Sequence, residues 1–368
     1  MRVAFYAPLK PPGHPIPSGD RHIAQLFLEA LRRAGHQPFV ASRLRSFDGS
    51  GDARHQARIA ALGRRTAERL LWQWRHRPET APLLWLTYHL YYKAPDWLGP
   101  AVSAALDIPY VIAEASYAAK RARGPWASGH RAVEQALRQA DAVIGLNSAD
   151  RGGVIPVLRD ARRWFALPPF LDAAAYPVRP ARSREAPRLI AVAMMRPGDK
   201  LASYRLLGTA LARLLDLPWS LEIVGDGPAR GEVEQALMPL GSRVIYRGAL
   251  DQKAVVEALA RADFCVWPAI NEAFGMALLE AQASGLPVVA GASGGVGDIV
   301  VPELTGLLAP TGDPDAFATA VRRLILDPAA RSAMGLAAQQ KIRREHDLPV
   351  AAARLAGLID SLGRRRAA

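Results

Sequence analysis

Short apolar and β-branched runs alternate with longer stretches of helical periodicity along the whole chain. In the first half, Val3–Ala7, Phe39–Ser42, Leu83–Thr87, Tyr110–Ala113 and Ala142–Leu146 predict strands. Ile23–Ala34 and Ala132–Gln139 predict helices between them. The second half repeats the scheme, with strands at Arg188–Ala193, Ser220–Val224, Arg243–Arg247, Phe264–Trp267 and Pro287–Ala290. Its helices fall at Leu201–Leu214, Ala254–Ala262, Ala277–Ser284 and Ala316–Leu326. Such alternation means βαβ units and a parallel sheet. Two such blocks predict an α/β protein of two doubly wound, Rossmann-like domains facing across a cleft. The expected spans are 1–175 and 176–346, joined by the proline- and arginine-rich stretch Pro168–Pro187. The tail 347–368 carries an amphipathic run, Val350–Leu362, expected to pack back on the first domain. Ligands of doubly wound sheets bind beyond the carboxyl ends of the strands, so residues just after strands are the ones to inspect.

Composition agrees with that picture. The 368 residues are half hydrophobic and 22% charged, which describes a soluble globular chain long enough for two cores. No run of eighteen apolar residues predicts a transmembrane helix. The opening residues meet Pro8 and Lys10 too early for a secretory leader and read as a strand. Cys265, the single cysteine, lies in the apolar run Phe264–Trp267 and reads as a buried strand residue in a reducing, cytoplasmic setting.

Charge adds something the periodicity does not show. Residues 1–180 carry 25 Lys and Arg against 14 Asp and Glu, whereas 181–368 carry 22 against 20. The first half is therefore expected to face something anionic. Residues 54–77 hold seven arginines and one acid, Glu68, with Ile59, Leu62, Leu70 and Trp74 near one helical face and Trp72 beside it. Arginine with tryptophan on a helix suits an anionic membrane surface, so Arg54–Arg77 is expected to dock peripherally at the inner face of a membrane. Against this stands the plainer reading of a core-facing apolar stripe with solvated arginines. Lys120–Trp126 is a second basic patch. A pI near 10.3 also suits a nucleic-acid binder, but no reading module accompanies it, so nucleic acid is not expected.

The most informative segment is Pro268–Pro287. The strand Phe264–Trp267 ends there, a loop carries Glu272, and Gly275 opens the helix containing Glu280. A helix start with free backbone N–H groups and a positive dipole end suits phosphate. Phe274, Gly275, Met276 and Ala277 are placed to supply those backbone contacts. Glu280 lies more than a turn inside, where it can accept from hydroxyls such as a ribose diol, and Glu272 lies nearer a reacting sugar. The bland alternative makes Glu272 a dipole-favoured loop charge and Glu280 a solvated one. Leu278, Leu279 and Ala281 make a solvated Glu280 less natural.

Glu272-x7-Glu280 with Phe274-Gly275, followed by Ala-x-Ala-Ser-Gly285-x-Pro287-Val-Val, resembles the donor-binding signature of retaining GT-B glycosyltransferases of the family-4 type (glycosyl transferases group 1). The resemblance continues through Gly294-Gly295-Val296, Glu303–Leu308 and Gly312-Asp313-Pro314. It covers most of 187–346 and, more weakly, the first half. It implies a transferase that moves a sugar from a nucleotide diphosphate sugar, UDP- or GDP-linked, to a saccharide or lipid-linked acceptor in envelope or exopolysaccharide synthesis, with no cofactor or metal required. The family places an Arg and a Lys after the first strand of the second domain, and Arg196 and Lys200 fit that place. Two cations there can neutralise leaving-group charge. Gly225, after Ser220–Val224, resembles the family's turn, which an ordinary tight turn explains equally well. Gly19, in the loop after strand one, fits the family's first loop, with backbone N–H groups toward the transferred sugar. The chain departs from the family after Tyr110–Ala113, where many members carry a histidine and this chain has Glu114-Ala115-Ser116. Glu114 is the candidate there; His14 is another by position. Retention by front-face departure needs no protein nucleophile.

The alternatives are weaker. A sugar-nucleotide epimerase of similar shape needs acids, bases or histidines converging on the sugar. The glycines of the first loop do not spell a dinucleotide fingerprint. Asp313-Pro-Asp315 spells a possible metal-binding triplet, but it precedes a helix, so capping is the simpler reading.

Overall fold

The computed structural model describes residues 1–16, 18–177 and 184–367. Residues 178–183, within the expected interdomain join, lie outside the described residues. The chain divides into two compact units, 1–170 with 348–368, and 171–347.

The first unit runs β1 (Arg2–Tyr6), α1 (Gly19–Arg33), β2 (Gln37–Ser42), α2 (Ala53–His76), β3 (Leu84–Leu90), α3 (Gly99–Leu106), β4 (Tyr110–Ala115), α4 (Ala127–Gln139), β5 (Ala142–Gly145), α5 (Arg151–Val154) and β6 (Trp164–Ala166). Among the described residues these strands form a parallel sheet in the order β2-β1-β3-β4-β5-β6. The central strands β3 and β4 are buried along almost their whole length because helices cover both faces, as parallel sheets require.

The second unit runs β7 (Arg188–Val192), α6 (Asp199–Leu211), β8 (Ser220–Val224), α7 (Arg230–Leu237), β9 (Val244–Gly248), α8 (Gln252–Arg261), β10 (Phe264–Trp267), α9 (Met276–Ala283), β11 (Val288–Gly291), α10 (Val296–Ile299), β12 (Gly306–Ala309), α11 (Pro314–Leu326) and α12 (Pro328–Glu345). Its parallel order is β9-β8-β7-β10-β11-β12. The last helix, α13 (Leu348–Ala367), returns to the first unit and packs on α1 through a buried stripe that includes Ala351, Leu355, Ile359 and Leu362. No described helix is long and apolar enough to cross a membrane.

Strand order is what positions the sites. In each sheet the order reverses once, between β1 and β3 in the first unit and between β7 and β10 in the second. Loops leaving two such strands diverge to opposite faces and open a crevice at the carboxyl edge.

Cys265 is buried, and Asp313 caps α11 by accepting from the amides of Asp315 and Ala316. One expectation changes. The stripe of α2 drawn through Ile59, Leu70 and Trp74 is not a membrane face. Leu70 and Trp74 lie in the core with Ala60 and Ala67, and Ile59 is half-buried. The neighbouring sheet takes up that apolar surface. Only Leu62 and Trp72 of the named group point outward, 51% and 61% exposed.

Candidate functional site

The second unit's crevice is built from the loops after β7 and β10. The β10–α9 loop is strapped to the start of α6. Asn271 donates to Asp199 at 2.8 Å, and the Ile270 amide donates to the Ser203 hydroxyl at 3.0 Å. This places Lys200, in the first turn of α6, against Glu272. The two form an ion pair, Trp267 donates to the same Glu272 oxygen at 3.2 Å, and the Lys200 ammonium lies 5.4 Å from the Trp267 ring centre. Glu272 and Lys200, read from sequence as serving different parts of a donor, thus meet as one group. Arg196 lies on the exposed stretch leading into α6 and has no ion-pair partner among the described residues.

Gly275 caps α9 with φ 78°, a left-handed conformation that glycine adopts without strain, and no side chain caps this end. The amides of Met276 and Ala277 are therefore free to receive an anion. Phe274 is buried and anchors the loop. Glu280 is 8% exposed rather than solvated. Gln252 donates to it at 3.2 Å and to the Tyr176 hydroxyl at 2.9 Å, and Tyr176 stands against the same carboxylate. Burial raises the Glu280 pKa, and hydrogen bonds from Gln252 and Tyr176 work in the other direction.

The glycines around the crevice have a packing reason as well. A Cβ on Gly225 would meet the Ala193 carbonyl oxygen at 1.9 Å, so the loops after β7 and β8 touch backbone to backbone. A Cβ on Gly294 would meet the Glu272 carbonyl oxygen at 2.0 Å, and the next amide, Gly295, donates to Ala273 at 2.7 Å. Gly225 is thus more than an ordinary turn residue, and Gly294-Gly295 holds the Glu272 loop from the far side.

The first unit carries a second group that sequence reasoning missed. Gly19 begins α1 behind the cap Ser18, whose hydroxyl accepts from Arg21. Asp20 follows it. At the reversal between β1 and β3, the imidazole Nδ1 of His89 stands 3.0 Å from the Asp20 carboxylate and 3.7 Å from that of Glu114 at the end of β4. Both His89 (φ 61°) and Glu114 (φ 59°) hold left-handed backbone conformations that cost bulky residues energy and gather at functional sites. Glu114 is 9% exposed, and its Oε2 has no hydrogen-bond partner among the described residues.

Charge in this group is arranged rather than cancelled. Burial opposes a charge on His89, but Glu114 and Asp20, with Asp150 further off, overcome it and push its pKa up to about 9. Burial likewise opposes the Asp20 carboxylate, yet His89 and Lys10 hold its pKa below the usual value. Glu114 goes the other way, raised by burial and by Asp20 against the pull of His89. His89 and Asp20 thus favour each other's charged forms, while Glu114 beside them is held above its ordinary pKa by burial. The position after Tyr110–Ala113 does lack a histidine, but the neighbouring strand supplies one beside Glu114. The signal was the rule already applied: β3 extends to Leu90, three residues beyond the expected Thr87, and carries His89 to the strand end. The imidazole of His14, the other histidine considered, accepts from the Ile16 amide in its own loop.

Residues 186–327 match the family profile described as Glycosyl transferases group 1. Among curated proteins, the GDP-mannose-dependent monoacylated alpha-(1-6)-phosphatidylinositol monomannoside mannosyltransferase of Corynebacterium glutamicum is 32% identical over 148 residues, 38% of this chain and 39% of that protein. The glycogen synthase of Mycobacterium tuberculosis is 28% identical over 276 residues, 69% of this chain and 64% of that protein. The matched part thus spans less than two thirds of either relative. Among solved structures, HepE of Anabaena in complex with UDP superposes with a TM-score of 0.75 at 17% identity, covering 98% of this chain and all of that one, a likeness of fold. The two parallel six-stranded sheets of this order have the GT-B fold, and residues 186–327, with the signature lodged at the second sheet's crevice, match the group 1 glycosyl transferases.

Proposed function

We propose that the protein is a retaining glycosyltransferase that takes a hexose from a nucleoside diphosphate sugar. The observation that carries this is the uncapped start of α9 beside the Lys200–Glu272–Trp267 group, inside the family-matched segment. The amides of Met276 and Ala277 and the cations Lys200 and Arg196 hold the diphosphate, and Glu280, kept in place by Gln252 and Tyr176, accepts from the ribose diol. Glu272 accepts from hydroxyls of the donor sugar. During transfer the bond from C1 to the β-phosphate oxygen breaks, and the acceptor hydroxyl bonds to C1 on the same face. The hydroxyl proton passes to the departing phosphate, so no protein nucleophile is consumed. UDP in the HepE structure and GDP-mannose in the name of the corynebacterial relative support a nucleotide sugar of this class.

A panel of UDP- and GDP-sugars tests the reading. The correct donor is expected to raise the unfolding midpoint, by about 2.7 kcal/mol of stabilisation at a hundredfold excess over Kd. With acceptor it should release nucleotide and give a product of unchanged anomeric configuration. Inverted product would remove the retaining mechanism. An epimerised sugar nucleotide with no nucleotide released would replace transfer by epimerisation.

For the membrane, the reading moves to a different stripe of α2. Arg54, Arg58, Arg65 and Arg69 share the exposed face with Leu62, Trp72 and His76, and the Trp72 and His76 rings lie 4.2 Å apart. This face suits an anionic bilayer, where each basic residue contributes about 1 kcal/mol near the surface. The acceptor is then membrane-borne. Arg65→Glu with Arg69→Glu is expected to abolish sedimentation with vesicles containing phosphatidylserine at low salt. Vesicle binding unchanged by that pair of substitutions would remove the stripe from the account.

A further inference from the structure

A groove of about 430 Å³, a volume typical of small-molecule sites, lies between α13 and the starts of β5 and β6 in the first unit. The strands are parallel, so this is the sheet edge opposite the ends of β3 and β4, where His89 and Glu114 stand. One wall carries Arg163 and Phe165, and a stripe of α13 with Arg354, Leu358 and Leu362 forms the other. Each of these arginines is tethered by a main-chain hydrogen bond. Arg163 donates to the Ala140 carbonyl at 2.6 Å. Arg354 donates to the Ala166 carbonyl at 2.6 Å, and its guanidinium lies 5.6 Å from the Phe165 ring centre. A guanidinium has five N–H donors, so each keeps others to offer. Neither has an ion-pair partner among the described residues, whereas Arg162 beside them is paired with Asp160 at 2.8 Å. The carboxylate of the groove, Asp141, is engaged by the Tyr110 amide at 2.9 Å. Two tethered arginines against one acid leave the groove cationic.

Gly357 lies in the same α13 wall, and packing within the chain gives no reason for it. It stands in the interior of the helix, where glycine is among the least favourable residues. A Cβ there would meet nothing within 4 Å, so no neighbour excludes a side chain. What the glycine keeps open is the groove, and a body lying against the helix backbone would need it open. The walls then select the occupant. Phe165, Leu358 and Leu362 offer apolar surface, and the Ser361 hydroxyl is already donated to the Leu358 carbonyl at 2.7 Å. A sugar or nucleotide gains little here, because its hydroxyls and ring nitrogens find few partners on such walls. A hydrocarbon chain gains from burial against them. An anionic head gains from guanidiniums already held in place.

We propose that this groove binds an acyl-chain anion, a hydrocarbon chain bearing a single carboxylate or phosphate. The chain lies along α13 over Gly357, Leu358 and Leu362 and against Phe165, and the head meets Arg163 and Arg354. Such a ligand ties α13 to the edge strand β6 and braces the helix on the first unit. Neither the donor crevice nor the His89 group takes part, so the site stands or falls apart from the transferase reading.

Calorimetric titration of the full chain with decanoate and decyl phosphate, below their micelle-forming concentrations, tests it beside decanol, inorganic phosphate and vesicles containing phosphatidic acid. At least one of the two anions is expected to bind at a single site per chain, more than tenfold tighter than decanol and than inorganic phosphate. Arg163→Met with Arg354→Met should weaken that binding at least tenfold. Gly357→Leu fills the groove and should abolish it, while the unfolding midpoint without ligand stays at or above the native one, because leucine is the better helix former. The proposal is overturned if neither anion binds, if decanol or bare phosphate binds as tightly, or if only the vesicles bind. It is equally overturned if Gly357→Leu binds as the native chain does, or if that variant unfolds at a lower midpoint, which would make the glycine a requirement of the helix. Cooperative thermal unfolding shows that each variant is folded. Should the arginine pair prove necessary for folding, Gly357→Leu still decides.

Discussion

Lys200→Met is expected to lower turnover about 10²–10³-fold while leaving the unfolding midpoint almost unchanged. The rate effect follows from where charge develops. As the glycosidic bond breaks, negative charge grows on the β-phosphate, and a fixed donor aimed at such charge is worth about 2.7–4 kcal/mol. Lys200 is fixed in position: Glu272 pairs with it, the Trp267 ring lies beside it, and the first turn of α6 carries it. The small stability effect follows from exposure. The Lys200 side chain is 33% exposed, and partly exposed ion pairs contribute about 0–1 kcal/mol. A structural lysine would show the opposite pattern, a lower midpoint with turnover per folded molecule preserved. Steady-state kinetics beside thermal unfolding separate the two, and a variant with native turnover would remove Lys200 from the site. Glu272→Gln probes the same group from the other side. It leaves a hydroxyl-binding amide but frees Lys200 from its partner, so donor affinity should suffer more than turnover.

Much of this site was legible in the sequence because its main determinants are local. Glu272, Gly275 and Glu280 belong to one strand–loop–helix passage, and period and spacing place all three. The pairing of Lys200 with Glu272 was not legible. It joins residues 72 apart in the chain, and only the strand order brings the loops after β7 and β10 together. Gly225 and Gly294 show the same limit. Each is required by a carbonyl of a distant loop, so a reading of nearby residues finds only a turn. On α2 the helix and its arginines were evident. Which stripe would be buried depended on the sheet behind it, so the apolar face assigned to a membrane proved to be core. His89 was missed for a smaller reason: a strand end misplaced by three residues moved it out of the set inspected.

That histidine carries the second large effect, a dependence of stability on pH that His89→Gln should abolish. In the folded chain the His89 pKa is pushed up to about 9, against an ordinary value near 6.5. A raised folded-state pKa stabilises fully below the unfolded value and loses that contribution as pH climbs through the folded one. The window is therefore pH 6.5 to 9, and the stability lost across it is roughly 3 kcal/mol, because a tenfold change in proton affinity corresponds to about 1.4 kcal/mol. The groups facing His89 do not reverse the sign. Asp20 on α1, held below the usual carboxylate value, is ionised throughout the window. Glu114 on β4, raised by burial, can only ionise further as pH climbs. Tyr88 and Tyr91 are held protonated, mainly by burial. Lys10 acts on Asp20 rather than on the ring. Denaturant unfolding at pH 6.5, 7.5 and 9 should show the native chain losing stability and His89→Gln remaining comparatively flat. Equal slopes for the two proteins would mean that the ring is neutral and the carboxylates do not hold it charged. Turnover gives an independent reading, because Gln can donate a hydrogen bond to Asp20 or Glu114 but cannot carry a proton. If the group positions and relays for the acceptor hydroxyl, turnover of His89→Gln falls about 10²-fold, and a decline above pH 9, expected of the native chain as His89 loses its proton, is absent from the variant. A merely structural histidine would alter the unfolding curves and leave the pH–rate profile in place.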